Sequence, residues 1–258
     1  MTTAQNAPDP TSPTGPAQAP RLSRLRTERS ARLHCARLYL CTDLQRFILG
    51  ESAADSVEQL DTARLEEFFR AAFRGGTDII QVRDKKVSIR TELEALDVLV
   101  SVAGEEGGLS AANDRADVAL LSGVDVFHVG QTDLTTEQVR RILGEDVLVG
   151  RSCHDNAQVR AASQDPGVDY YCTGPIWETP TKPGRAAVGL ELPGFAARIG
   201  QSPDSSAKPF FAIGGVNTET APLVRDAGAE RIVVVRAVTT ADDPEATARE
   251  LRACFSPR

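Results

Sequence analysis

From residue 38 onward, short apolar runs rich in valine and isoleucine alternate with longer segments whose apolar residues recur at helical spacing. The run 38–41 is followed by Leu65, Phe68, Phe69 and Ala72, an i, i+3, i+4, i+7 stripe closed by Gly75 and Gly76, which predicts a strand and then a helix. The second pair joins 79–82 to the stripe of Leu93, Leu96, Leu99 and Val100, and the third joins 109–112 to a short helix over 116–121. The fourth joins 126–129 to a helix over 136–143, which either Thr135 or Thr136 can cap, and the fifth joins 147–150 to 157–162. The last three pairs are 170–172 with 192–199, 210–213 with 220–227, and 232–235 with 246–255. Eight strand–helix units predict an α/β fold, a closed (β/α)8 TIM barrel, an architecture of about 250 residues. An open doubly wound sheet is the alternative, but no G-x-G-x-x-G dinucleotide fingerprint follows the first strand.

The stretch before the first strand differs in kind. Pro8, Pro10, Pro13, Pro16 and Pro20 precede the basic run Arg21, Arg24, Arg26 and Arg29, with little periodic apolar content. Residues 1–31 therefore read as a disordered extension and 32–258 as one catalytic barrel domain. A transit peptide is the alternative for an Arg-rich, Ser-containing leader, although Asp9 and the dense prolines weigh against it.

Composition narrows the partners. With 41% hydrophobic and 25% charged residues the chain can bury a sizeable core, and a net charge of -7 argues against general nucleic-acid binding. Basic residues gathered at one site would then serve small anions such as phosphorylated metabolites. Cys35, Cys41, Cys153, Cys172 and Cys254 form no C-x-x-C pair, which suggests reduced thiols in a cytoplasmic protein rather than a zinc site. No apolar run approaches the roughly 20 residues that cross a bilayer, and residues 1–20 lack the apolar core of a secretory signal, so no membrane partner is expected.

In a barrel the chemistry belongs at the C-terminal ends of the strands. Strand two ends Gln81-Val82-Arg83-Asp84-Lys85, where alternation puts Gln81, Arg83 and Lys85 on one side as two cations and an amide suited to a diphosphate. Strands three and four end at Asp114 and Asp133, two carboxylates suited to one Mg²⁺, although either aspartate alone could be a loop or cap residue. After strand five, Ser152 can donate to a phosphate or a ring nitrogen, and His154 is either an acid–base group or a polar rim residue. His128 and His34 carry no catalytic assignment. The loop after strand six holds Thr179, Thr181 and Lys182 between Gly174 and Gly184, a set of hydroxyls and one ammonium that can meet phosphate oxygens. Gly214-Gly215 after strand seven and Arg236 after strand eight fall where this fold often binds phosphate.

Five motifs in this order resemble the thiamine phosphate synthase family: Gln81-x-Arg83-x-Lys85, Asn113-Asp114-Arg115, His128-Val129-Gly130-Gln131-x-Asp133, Gly174-Pro175-Ile176 continuing to Thr179-x-Thr181-Lys182, and Gly214-Gly215. The resemblance runs from about residue 38 to 253. It implies a transferase that joins hydroxymethylpyrimidine diphosphate to thiazole phosphate, in its carboxylate or alcohol form, through a pyrimidine-stabilised carbocation. By resemblance, Gln81, Val82, Arg83, Asp84, Lys85, Asn113, Ser152 and Lys182 would hold the pyrimidine diphosphate, with Arg83, Lys85, Ser152 and Lys182 serving catalysis. Thr179, Pro180, Thr181, Gly215, Val235 and Arg236 would surround the thiazole phosphate, and Asp114 and Asp133 would bind Mg²⁺ as the cofactor. Relatives often have a small hydroxyl residue where Arg236 stands, which suggests an ionic phosphate contact here. A thiazole tautomerase or a non-catalytic binder of thiamine precursors remains an alternative, though a tautomerase would not need the complete clamp and two metal carboxylates. The oligomeric state is open, with a homo-oligomer compatible, and neither the leader nor the stretch 202–206 has a role in this reading.

Overall fold

Strand closure organises the chain. The computed structural model describes residues 23–50, 58–179, 186–201 and 207–256. Helix α1 (Arg24–Cys35) precedes β1 (Leu38–Thr42), a 3-10 turn (Gln45–Phe47) and a small antiparallel ribbon, β2 (Ile48–Leu49) with β3 (Gln59–Leu60). Then follow α2 (Thr62–Arg74), β4 (Ile79–Val82), α3 (Ile89–Glu106), β5 (Leu109–Asn113), α4 (Ala116–Ser122), β6 (Val126–Val129) and α5 (Thr136–Leu143). The second half runs β7 (Leu148–Cys153), α6 (Asn156–Gln164), β8 (Tyr170–Thr173), α7 (Glu191–Gly200), β9 (Phe210–Ile213), α8 (Ala221–Asp226), β10 (Ile232–Val234), α9 (Arg236–Thr239) and α10 (Pro244–Cys254). The barrel order is β1-β10-β9-β8-β7-β6-β5-β4, and β1 closes it by pairing in parallel with both β10 and β4.

The eight expected strands are β1 and β4 to β10, so the (β/α)8 expectation holds. Strand five extends further than expected, through Cys153, which puts Ser152 inside β7 rather than beyond its end. Thr135 is the cap of α5: its side chain accepts from the Gln138 amide while the Gln138 side chain accepts from the Thr135 amide.

Side-chain alternation divides the apolar residues into two layers. Leu38, Leu40, Ile80, Val82, Phe127 and Val149 face the helices, whereas Tyr39, Ile79, Leu109, Val126, Leu148 and Tyr170 fill the barrel interior. The interior is packed with aromatic and branched residues, so ligands can be held only at its ends.

One end is sealed by acidic residues that stand just before alternate strands. Asp78, before β4, accepts from the amides of Arg37 and Leu38 at 2.7 and 2.9 Å, tying down the start of β1. Asp125 does the same for β5 through the Ser110 amide at 2.9 Å, and Asp169 for β7 through the Val149 amide at 2.7 Å. Helix α1 lies across this end. Its N-cap is Ser23, Leu33 joins the interior layer, and Arg29 donates to Asp125 at 2.8 Å and to the Asp146 carbonyl at 2.9 Å. Arg26 pairs with Asp169.

The boundary expected at residue 31 is therefore corrected, because α1 begins at Arg24 and belongs to the barrel. Its arginines read as part of a disordered extension because two of their partners, Asp125 and Asp169, are remote in sequence. Residues 1–22 and 202–206 lie outside the described residues.

Arg29→Ala leaves Asp125 without its ion pair beneath the barrel. It is expected to cost about 2–3 kcal/mol in urea titrations while leaving substrate KM values unchanged, since the contact lies at the end opposite the catalytic rim.

Candidate active site

At the other end, the strands deliver polar residues in two groups. The first gathers on β4, β5 and β6. Gln81 faces inward and is buried, and its Nε2 is without a hydrogen-bond partner among the described residues. Val82 faces the helices and is fully buried, so only its backbone could meet a ligand. The ladder continues past β4, since the Arg83 amide donates to the Thr42 carbonyl at 2.8 Å. Lys85 Nζ lies 2.8 Å from the Asp114 carboxylate.

Asp84, between these two cations, has its carboxylate occupied: Oδ2 accepts from the Leu44 amide at 2.9 Å and from Gln45 Nε2 at 2.8 Å, and Oδ1 accepts from the Lys86 amide at 2.8 Å. Asp84, named among the diphosphate residues, thus has its carboxylate engaged by the scaffold, and strand alternation turns that side chain away from Gln81 and Arg83.

Asn113 ends β5, buried and in register with His128. Asp114 follows in the left-handed region, with φ of 58°, uncommon for a non-glycine residue and typical of functional sites. Its amide donates to the His128 carbonyl at 3.0 Å. Burial pushes the Asp114 carboxyl up, but hydrogen bonds involving Lys85 and Asp133, with the charges of Lys85 and Arg83, outweigh it and hold the group below the usual aspartate range. Asp133 Oδ2 accepts from the Gly130 amide at 2.7 Å, which fixes the turn after β6. The two carboxylates foreseen as a pair are thus neighbours. Among the described residues no group of three or more His, Cys, Asp or Glu could form a protein-only metal cage.

Glu92, in the first turn of α3, went unnoticed in the sequence because it sits on a helix rather than a strand end. It is 7% exposed, and burial pushes its carboxyl up to about 7; Arg115 opposes the shift, and the charges of Asp84, Asp114 and Asp117 add to it.

The second group surrounds a cavity of about 410 Å³ at the mouth of β7 to β10. Cys172, Ile213 and Val233 give it an apolar lining, and Ser152, Asn217 and Arg236 supply polar groups. Thr179, Gly215 and Val235 line it as well, so the residues expected around the thiazole phosphate converge here as far as they are described. Pro180, Thr181 and Lys182 lie outside the described residues. The loop before them is fastened to the β9 turn, with the Ile176 amide donating to the Ile213 carbonyl at 2.9 Å and the Trp177 amide to Gly214 at 3.1 Å. Gly214 and Gly215 have φ of 105° and 72°, and a Cβ would meet Pro175 at 2.5 Å or Trp177 at 2.9 Å, so the close approach of these loops requires glycine. His154 also lines the cavity, and its Nδ1 contacts the Gly174 carbonyl, the behaviour of a rim residue that holds a loop. Arg236 is exposed at the mouth, with no ion pair among the described residues.

A buried chain of hydrogen bonds supports Ser152 from below. Tyr39 and Tyr170 hydroxyls lie 3.2 Å apart, Tyr170 is 3.1 Å from His128 Nδ1, and His128 Nε2 is 2.9 Å from Ser152 Oγ. When Tyr170 donates to Nδ1, the ring donates from Nε2 to Ser152 and leaves the serine proton free for a ligand. His128, given no catalytic role on sequence grounds, thus orients a predicted site residue. The signal was its inward position on β6, two residues after Val126.

These features define a (β/α)8-barrel enzyme whose reaction belongs at the C-terminal rim. Residues 54–238 match the family model described as thiamine monophosphate synthase. The chain belongs to the thiamine monophosphate synthase family and is a transferase of thiamine biosynthesis. It is 48% identical over 235 residues to a thiamine-phosphate synthase of Mycobacterium tuberculosis, covering 88% of this chain and 97% of that one. It is 49% identical over 219 residues to the Streptomyces avermitilis thiamine-phosphate synthase, covering 85% and 93%. Among solved structures, thiamine phosphate pyrophosphorylase from Pyrococcus furiosus superposes with a TM-score of 0.69 at 26% identity, covering 88% of this chain and 96% of that one.

The Glu92 carboxyl gives a pH prediction. Its ordinary value is 4.5, so between 4.5 and about 7 the folded chain retains a proton that the unfolded chain releases, and stability falls as pH rises through that window. Glu92→Gln is expected to match the parent below pH 4.5 and to exceed it above pH 7, by about 2–3 kcal/mol in urea titrations.

Proposed function

We propose that this chain transfers the hydroxymethylpyrimidine group from its diphosphate to the ring nitrogen of thiazole phosphate, in the carboxylate or alcohol form, giving thiamine phosphate and pyrophosphate. The observation that carries the reading is the division of the rim: cations and paired carboxylates on β4 to β6 face an apolar cavity with a polar mouth on β7 to β10. One half suits a departing diphosphate and the other a phosphorylated heterocycle.

The pyrimidine methylene–oxygen bond breaks with its electron pair leaving on pyrophosphate, and the thiazole nitrogen supplies the pair for the new carbon–nitrogen bond. No protein nucleophile is required. Arg83 and Lys85, joined by Lys182, neutralise charge developing on the leaving group, the largest electrostatic demand of such a step. Gln81 and Asn113 bind the pyrimidine diphosphate with Ser152, which His128 orients. The buried Gln81 Nε2, unpartnered among the described residues, supports this role, because an unpaired buried donor costs about 1–3 kcal/mol and a ligand would satisfy it. Thr179, Pro180, Thr181, Gly215, Val235 and Arg236 hold the thiazole phosphate, with Arg236 adding a guanidinium.

The donor set fits magnesium, which commonly takes one or two carboxylates together with substrate phosphates. Asp114 and Asp133 would hold it, and when bound it supplies Lewis-acid neutralisation of the phosphate oxygens. The net charge of -7 supports small anions rather than nucleic acid as partners. Among the described residues no helix is long and apolar enough to cross a membrane, and five cysteines that form no C-x-x-C pair support a reducing cytoplasm as the place of work.

The direct test incubates the purified chain with both precursors and Mg²⁺ and reads thiamine phosphate. Thiazole isomerisation without that product would instead favour a tautomerase. Asp114→Asn should lower Mg²⁺-dependent pyrophosphate release at least about 100-fold with the fold intact by circular dichroism; unchanged turnover would sink the metal assignment. Arg236→Ser should raise the KM for thiazole phosphate about tenfold without altering the metal dependence, and an equal KM would put Arg236 outside the phosphate site.

A further inference from the structure

We propose that Asp84 is a positioning residue for the diphosphate clamp: it ties the end of β4 to the chain leaving β1, thereby fixing Arg83 and Lys85, and it keeps its own charge away from the anion. The proposal deepens the reading of Arg83 and Lys85 as the diphosphate clamp and rests on it.

A carboxylate between two cations of an anion site is a liability. If it shared their face it would repel the diphosphate and pair with the lysine or arginine instead. Strand alternation removes it from that face, and three donors hold it there: the Leu44 amide, Gln45 Nε2 and the Lys86 amide, all within 2.9 Å. Two of them are backbone groups, so their positions do not depend on flexible side chains. Leu44 is itself fully buried in the layer between barrel and helices, and its carbonyl accepts from the Phe47 amide at 2.8 Å to start the 3-10 turn. The anchor is therefore part of the core.

The link is doubled. The Arg83 amide donates to the Thr42 carbonyl at 2.8 Å, so the chain beyond β4 is fastened to the chain beyond β1 by one backbone bond at 83 and by the Asp84 carboxylate one residue later. The bond from the Lys86 amide back to Asp84 Oδ1 curls the chain after the strand and sets where Lys85 leaves it, beside Asp114. Residues 83–86 thus hold their conformation although β4 ends at Val82. Fixed spacing between two cations matters because a diphosphate is bound by both together, and a preorganised pair loses less entropy on binding than a mobile one.

The test compares Asp84→Ala, Asp84→Asn and Gln45→Ala in the full chain, reading pyrophosphate inhibition, the two substrate KM values and thermal unfolding. Asp84→Ala is expected to weaken pyrophosphate about tenfold and raise the KM for the pyrimidine diphosphate similarly, with the thiazole KM within about twofold. Asp84→Asn should recover to within about threefold of the parent, because its amide oxygen can still accept from Leu44 and Gln45. Gln45→Ala, an exposed position, should weaken pyrophosphate about twofold alone and add nothing to Asp84→Ala.

Unchanged pyrophosphate affinity in Asp84→Ala would overturn the proposal, and if that variant does not fold, unchanged affinity in Gln45→Ala does so. Loss of both substrates to the same degree would also overturn it, indicating general destabilisation. Tighter pyrophosphate binding in Asp84→Asn would show that the charge reaches the site and repels the ligand. Arg83→Ala and Lys85→Ala separate the two readings. If both leave pyrophosphate binding intact the clamp itself falls, whereas if both weaken it and Asp84→Ala does not, only the positioning role falls.

Discussion

Closure of the parallel sheet, completed by β1 between β10 and β4, is the constraint on which the rest depends. A closed barrel has no free strand edge, its interior is filled, and its helices occupy the outside, so function is left to the strand ends. Because side chains alternate with a period of two, closure also decides which residues of each strand reach the shared rim. Gln81, Asn113, His128 and Ser152 belong to four successive strands and meet because closure sets those strands side by side.

The two ends of the barrel use the same residue types for opposite purposes. At the sealed end, Asp78, Asp125 and Asp169 accept backbone amides at strand starts, and arginines of α1 complete two of them. Their charges are consumed by the fold. At the open end, Asp114 and Asp133 lie together beside Lys85, and Glu92 is buried behind them with its carboxyl pushed up to about 7. Lys85 and Arg83 favour the charged form of Asp114 while burial favours the neutral form of Glu92, and carboxyls perturbed in opposite directions at one rim are the signature of a site kept for a ligand. Asp84 stands between the two cases, an acid within the anion site whose charge is absorbed by the scaffold.

Much of this was legible in the sequence. The eight apolar runs and their helical stripes depend on local periodicity, and β4, β6, β9 and α5 fall where that periodicity puts them. Helix α1 was hidden because its buried face is held by ion pairs with Asp125 and Asp169 rather than by an apolar stripe. Among site residues, the clamp motif and the two aspartates stood out as charges at strand ends. His128 did not, because a histidine within an apolar run reads as a core residue until Tyr170 and Ser152 are seen on either side of it.

The sequence by itself determined the number and order of the units, the end of the barrel that would carry chemistry, and the residue types gathered there, because these follow from periodicity and from chain order in a closed barrel. Only the tertiary structure decided what each of those residues meets. Gln81 is presented inward with its Nε2 unpartnered among the described residues, Val82 is given to the core, Asp84 is bound to Leu44 and Gln45, and Asp114 is brought beside Asp133. The turn of Gln81 and Val82 follows from local alternation, but the contacts of Asp84 and Asp114 are hydrogen bonds and ion pairs between segments far apart in the chain, and no local pattern encodes such pairings.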